Sequence, residues 1–340
     1  MIYVLLLIFC TFCGFLISHT NKRDKKIVFI ILLFSLVSIS ALRYNVGKDF
    51  FDYYNFYMNI DNLKSMNYEI GFYLINKVLH VIFKNPQFFF LFTSLIINFF
   101  VCKSIMSSKG SKAMGLYIYI CGTFFFFSLN GVRQSIAIAL FYYSLYFLKN
   151  NNFIKYFFIN MIGALFHTSA LVFLPLYFLL KKKINTKLKI IIILSTYFFS
   201  FVASKYIILL LSSTKYNFYL SKAGYFTLGS FNISSIINLI LFLLYEFLIT
   251  KKDKEDIIYS NIHFFGIIVS IFLPILPLVN RFFVSFKYIE VLSVPNLMEK
   301  IKYGRFAKII VYSLYFLYFY NSLFNGNSNS VLPYISIFNK

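Results

Sequence analysis

Runs of apolar residues close to the length that crosses a bilayer recur along this chain, with short basic clusters between them. Residues 27–42 (IVFIILLFSLVSISAL), 191–211 and 236–249 approach or exceed the ~20 helical residues that span a hydrocarbon core of about 30 Å. A membrane barrel would need ~10-residue segments of alternating polarity, and no such alternation is present. Only 13% of the 340 residues are charged, against about a quarter in soluble domains. The expected fold is all-α, a polytopic transmembrane helical bundle forming one integral membrane domain over residues 1–340.

A formal charge of +22 would suggest nucleic acid in a soluble protein. Here most of the 33 Lys and Arg fall in six short segments: 19–26, 103–112, 149–155, 181–189, 250–256 and 299–308. The positive-inside rule explains them without a nucleic-acid partner, by placing all six on the cytoplasmic side. No basic residue precedes Lys22 and no small-x-small cleavage site follows the first apolar run. That run therefore reads as a first crossing with Met1 outside, not as a cleaved signal. The implied spans are 1–18, 27–42, 88–102, 113–129, 133–148, 153–166, 168–180, 190–211, 233–250, 258–279, 281–297 and 309–321, about twelve crossings.

Counting segment 71–84 as a thirteenth crossing would invert everything downstream, so it is expected to be re-entrant or interfacial, with its apolar residues on one helical face. The outside then holds two sizeable loops, 43–70 and 212–232, and the tail 322–340. Cys10, Cys13, Cys102 and Cys121 lie in apolar spans without the partners a metal or redox site needs, and read as packing residues. Glu246, inside a span, is either a buried ion-pair partner or a proton-relay group.

An ionisable group at membrane depth costs several kcal/mol (roughly 3) unless it faces a partner or a cavity. In this topology Arg43, Arg133, His167 and Arg281 all fall at the outer ends of spans. The first cluster, R-Y-N-V-G-K-D-F-F-D-Y-Y at 43–54, mixes Arg43 and Lys48 with Asp49 and Asp52 among aromatic residues, and Glu69 closes the same loop. Aromatic faces stack on sugar rings, and carboxylates accept sugar hydroxyls or take protons. The carboxylates pair equally well with Arg43 and Lys48. In N-G-V-R-Q-S-I-A (130–137), Gly131 permits a tight turn and Arg133 and Gln134 open a helix whose amino end favours anions. The planar guanidinium suits a phosphate better than an ammonium does. His167 ends a helix beside Thr168 and Ser169, and Arg281 opens one, with Lys287 and Glu290 spaced to pair one step along.

Those clusters also carry a likeness. R-Y-N-V-G-K-D-F-F-D-Y-Y, E-I-G-F at 69–72, N-G-V-R-Q-S-I-A-I-A at 130–139, F-H-T-S-A-L at 166–171, N-R-F at 280–282 and V-L-P-Y-I-S-I-F at 331–338 follow one another in the order of the EpsG family, which the chain resembles over almost its whole length. The resemblance implies a GT-C-like helical fold and a Wzy-type glycosyltransferase of the bacterial cytoplasmic membrane. Such an enzyme joins undecaprenyl-pyrophosphate-linked oligosaccharide units into capsule, exopolysaccharide or O-antigen on the outer face, without metal, cofactor or nucleotide sugar. A flippase and a chain-length regulator of the same pathway are the implied partners.

By that analogy Arg43, Arg133, Gln134 and Arg281 hold the pyrophosphate, while Asp52, Tyr53, Tyr54 and Glu69 bind sugar. Either His167 or Asp49 takes the acceptor proton. The rival from another class is a flippase for the same lipid-linked sugars, which would spread its charges through several depths of a central path.

Overall fold

In a computed structural model, residues 1–62, 68–212, 233–249, 252–273, 279–301, 304–327 and 329–339 are described. The expected outer loop 212–232 falls almost wholly outside them. The described residues are mainly helical, with no strand beyond one isolated bridge between Arg43 and Ser336.

Among the described residues, three helices are long and apolar enough to cross a membrane: α1 (Ile2–His19), α5 (Gln87–Ser107) and the stretch Thr186–Ala203 of α11 (Thr186–Ser212). A fourth crossing follows if α6 (Lys112–Cys121) and α7 (Phe124–Asn130), bent by 50° at their junction, count as one. The remaining expected crossings correspond to shorter or more polar helices. Among them α2 (Lys22–Ala41) opens on five charged residues, α9 (Phe153–Phe166) has only 14 residues and α10 (Phe173–Leu180) only 8.

Apolar stripes face outward. On α1, Leu5, Ile8, Phe12 and Phe15 are exposed at helical spacing while Tyr3, Leu6, Cys10 and Cys13 are buried. Only 17% of the apolar window of α11 is buried. Such surfaces are rare on soluble proteins and fit an apolar surrounding. The four cysteines are all buried and unpaired by disulfide.

The chain forms two compact units, Met1–Tyr177 with Glu290–Lys340, and Phe178–Ile289. In the first, α8 (Val132–Lys149) packs on α9 and α5, α1 on α6, and α2 on α1 and α5. Small residues make the closest approaches: a Cβ on Gly14 would lie 2.6 Å from Ala113 Cα. Gly163 of α9 faces Ala137 of α8, where the Asn160 amide also donates to the Ser144 hydroxyl at 2.9 Å. The C-terminal tail returns to the end of α2, with Tyr44 N–H donating to the Ile335 carbonyl, Ile337 N–H to that of Leu42, and Gly47 N–H to that of Ser330.

Most of segment 71–84 forms α4 (Ile70–Ile82), which exposes Leu74, Val78, Val81 and Ile82 together with Lys77, whereas Phe72, Tyr73, Asn76 and His80 are buried. Apolar residues therefore lie on both faces, which departs from the expected single apolar face, and of the two ionisable groups Lys77 is exposed while His80 is buried.

In the second unit, α12 (Ile233–Phe247) packs on α13 (Lys254–Ile271) around Phe242, Phe264, Ile267 and Ile271. Glu246 is a buried ion-pair partner: Lys189 Nζ reaches it at 2.7 Å and Lys252 Nζ at 2.6 Å, while Thr186 and Ser260 add hydroxyl donors.

Candidate functional site

The elements of the first unit bring two side chains far apart in sequence onto one carboxylate, that of Glu69. Glu69 caps the start of α4, His167 the end of α9, and Arg133 sits in the first turn of α8. The approach of α4 to α9 depends on Gly71, because a Cβ there would stand 2.6 Å from Leu165 Cβ and 2.9 Å from the Leu165 carbonyl oxygen. With hydrogen in its place, Glu69 arrives beside His167. Arg133 is delivered by the α7–α8 junction at Gly131, where the chain leaves one helix and begins the next.

Glu69 Oε1 is 2.9 Å from His167 Nδ1, and Oε2 is 2.5 Å from Arg133 Nη1. Burial works against the carboxylate charge, but the hydrogen bond from His167 and the charge of Arg133 outweigh it and hold the Glu69 carboxyl at about 2. Ionised Glu69 can only accept, so Nδ1 of His167 carries the hydrogen of that bond. In the neutral ring Nε2 is then the free acceptor. This is the carboxylate–imidazole arrangement in which an acid fixes the tautomer of a general base.

Arg133 keeps further N–H groups for other work. Its side chain is 33% exposed, lies 5.6 Å above the Phe72 ring and hydrogen-bonds the Tyr53 phenol. Tyr53 belongs to α3 (Phe50–Met58), which forms within the expected outer loop 43–70. Its ring packs 5.3 Å from that of Phe89, and Phe56 stacks on Phe72 at 5.0 Å. Phe50, Phe56 and Tyr57 are buried in this aromatic layer, which makes them part of the scaffold.

The other expected residues are distributed as follows. Arg43 is 2% exposed, with its guanidinium 4.9 Å above the Phe90 ring and its Nε without a hydrogen-bond partner among the described residues. Burial lowers its pKa to about 10, so it stays charged at neutral pH. Asp49 is half-buried near Arg43 and Tyr53, its N–H directed at Asn130 Oδ1 at 3.5 Å. Gln134 is buried, Asp52 exposed and Tyr54 half-buried on α3. Arg281 belongs to the second unit, exposed in the first turn of α14 (Val279–Lys287). Lys287 donates to Ser234 at 2.9 Å, and Glu290 accepts from Tyr315 at 2.7 Å.

The role of Glu69 as the common acceptor of His167 and Arg133 went unread in the sequence, where it figured as a sugar-binding group. No spacing rule connects positions 69, 133 and 167. The only local sign is a glycine two residues after a lone acid, at the start of an apolar helix.

The sequence pattern of the EpsG family matches residues 26–336, nearly the whole chain. The chain belongs to the EpsG family. That is a family of Wzy-like polymerases, and membership makes this chain a polysaccharide-polymerase-like membrane protein with glycosyltransferase-like activity. No curated protein and no solved structure matches it. All four site residues Tyr53, Glu69, Arg133 and His167 fall inside the matched span.

Proposed function

We propose that this EpsG-family chain is the polymerase that joins undecaprenyl-pyrophosphate-linked oligosaccharide repeats into capsule, exopolysaccharide or O-antigen. The reaction would take place on the outer face of the bacterial cytoplasmic membrane. The chain crosses that membrane about twelve times in this reading, with α4 lying at its outer boundary. The observation that carries the proposal is the bridging of His167 and Arg133 by Glu69. Together they supply a base and a cation within reach of one carboxylate, the two things this transfer requires.

In the reaction His167 Nε2 removes the proton of the acceptor sugar hydroxyl. The oxygen forms a bond to the anomeric carbon of the donor, whose bond to the pyrophosphate oxygen breaks. That electron pair leaves with the lipid pyrophosphate. Glu69 holds the imidazole and stabilises the imidazolium that forms, while the N–H groups of Arg133 not used by Glu69 stabilise the charge developing on the leaving group. Tyr53 keeps Arg133 in place through its phenol. Asp52 and Tyr54, at the accessible side of α3, are the sugar contacts. The burial of Arg43 favours a positioning role behind Asp49 and Tyr53. On the family resemblance alone Arg281 is a further proposed contact to pyrophosphate, and Asp49 is the alternative base.

The test supplies the purified chain with a lipid-linked repeat unit and neither ATP nor nucleotide sugar. A ladder of longer lipid-linked products is expected, shortened by roughly 100-fold or more in rate in Arg133→Ala. Arg281→Ala is expected to weaken donor binding. Translocation of the lipid-linked unit across vesicles, with no ladder, would replace this reading by a flippase. Full-length polymer from both variants at normal membrane levels would remove the arginines from the mechanism.

A further inference from the structure

A second feature of the first unit has no part in that reaction. A cavity of about 1070 Å³ opens among the end of α1, the start of α2, the end of α5 and the start of α6. It is a little above the roughly 300–1,000 Å³ typical of small-molecule sites. Five lysines line it: Lys25, Lys26, Lys103, Lys109 and Lys112. The single carboxylate on its wall, Glu299, is already engaged by Lys308 at 2.9 Å. Lys25, Lys26 and Lys103 have no carboxylate partner among the described residues.

The lysines are only half of the lining. Phe29, Ile30 and Met106 supply apolar walls, and Lys103 Nζ lies 5.2 Å above the Phe29 ring. The floor is rigid. Gly110 is pressed against the backbone of Pro295 and Asn296, Gly14 against Ala113, and Lys112 Nζ is tied to the Ser108 and Gly110 carbonyls. Two of the six basic segments expected on the cytoplasmic side, 19–26 and 103–112, line the cavity, and the segment 299–308 reaches its wall through Glu299.

The position along the helices is also defined. Gln87, at the start of α5, donates to the Ala41 and Arg43 carbonyls at the end of α2, so the two helices run antiparallel. Lys25 and Arg43 stand at opposite ends of α2, about 27 Å apart at 1.5 Å per residue. That is close to the ~30 Å thickness of the hydrocarbon core. The cavity therefore lies one membrane thickness away from the Arg43 end of α2.

We infer that this cavity holds the phosphate of an anionic membrane lipid, with its chains against the apolar wall, at the membrane boundary opposite Arg43. Clustered lysines supply the attraction to a phosphodiester, and the apolar side distinguishes a lipid from a free phosphate. The site needs nothing from the proposed reaction, and its test reads lipid retention in place of polymer.

The full chain is purified in a neutral detergent and reconstituted with phosphatidylcholine alone or mixed with phosphatidylglycerol. Bound lipid is read by native mass spectrometry and stability by thermal melting. Wild type is expected to retain phosphatidylglycerol and to melt higher with it, while glycerol 3-phosphate has no such effect. The variant Lys25→Gln/Lys26→Gln/Lys103→Gln is expected to retain it at least about tenfold less. Lys181→Gln/Lys183→Gln/Lys187→Gln, which removes the same charge elsewhere, is expected to behave as wild type. Equal retention by the first variant and wild type, equal loss in the second, or stabilisation by glycerol 3-phosphate alone would each overturn the lipid site.

Discussion

At the scale of single residues, Glu69 carries the most consequence. Its carboxyl is held at about 2 against an ordinary 4.5, so it is ionised throughout the physiological range. A carboxyl lowered on folding contributes stability that is complete above its unfolded value and is lost as pH falls through the folded one. Melting in detergent should therefore show wild type losing stability between roughly pH 4.5 and pH 2, by about 2–3 kcal/mol at most, with Glu69→Gln flattening that loss. The same substitution keeps the side-chain volume but accepts on one oxygen only and presents an amide to His167. Polymer formation should fall by roughly 100- to 10,000-fold in the lipid-linked assay. A Glu69→Gln enzyme with an unchanged rate and pH profile would show that His167 works without this partner.

Among secondary-structure elements, the contact of α4 with α9 determines whether the site exists. Hydrogen at Gly71 lets the two backbones meet at Leu165, two residues before His167. Gly71→Ala places a methyl group 2.6 Å from Leu165 Cβ, so α4 must withdraw. The expected stability loss is modest, about 1–3 kcal/mol. The loss of activity should be larger, because Glu69 withdraws with its helix and a displacement of about 1 Å can cost on the order of 100-fold. A melting curve paired with the ladder assay separates the two effects. If both fell in proportion, Gly71 would be a packing residue only.

Across the whole molecule, each unit buries charge on its own terms. In the second unit Glu246 is surrounded by Lys189, Lys252, Thr186 and Ser260, and Lys189 is 3% exposed. Removing one member of a buried pair leaves the other uncompensated. Lys189→Met should cost about 3–5 kcal/mol, read as a lowered melting temperature in detergent, and Lys189→Met/Glu246→Gln should recover part of it. If the double variant were no more stable than the single one, the hydroxyls and Lys252 would be enough to satisfy Glu246.

Hydropathy and charge are properties of consecutive residues, and they are written in the sequence directly. Helical rather than strand structure, apolar helices with buried cysteines, the helix boundaries at Arg133 and His167, and EpsG membership were all legible from residue order. Pairing between distant positions was not. The ends of the helices that bear Glu69 and His167 meet because a glycine lets two backbones touch, and neither the inward turn of Arg43 nor the burial of Phe50 and Phe56 leaves a periodic trace. Glu246 shows the same limit, since an acid in an apolar span announces that it needs partners but not which ones. Local sequence fixes what each segment prefers, whereas contacts across dozens of residues depend on which surfaces fit, and only the tertiary structure decided those.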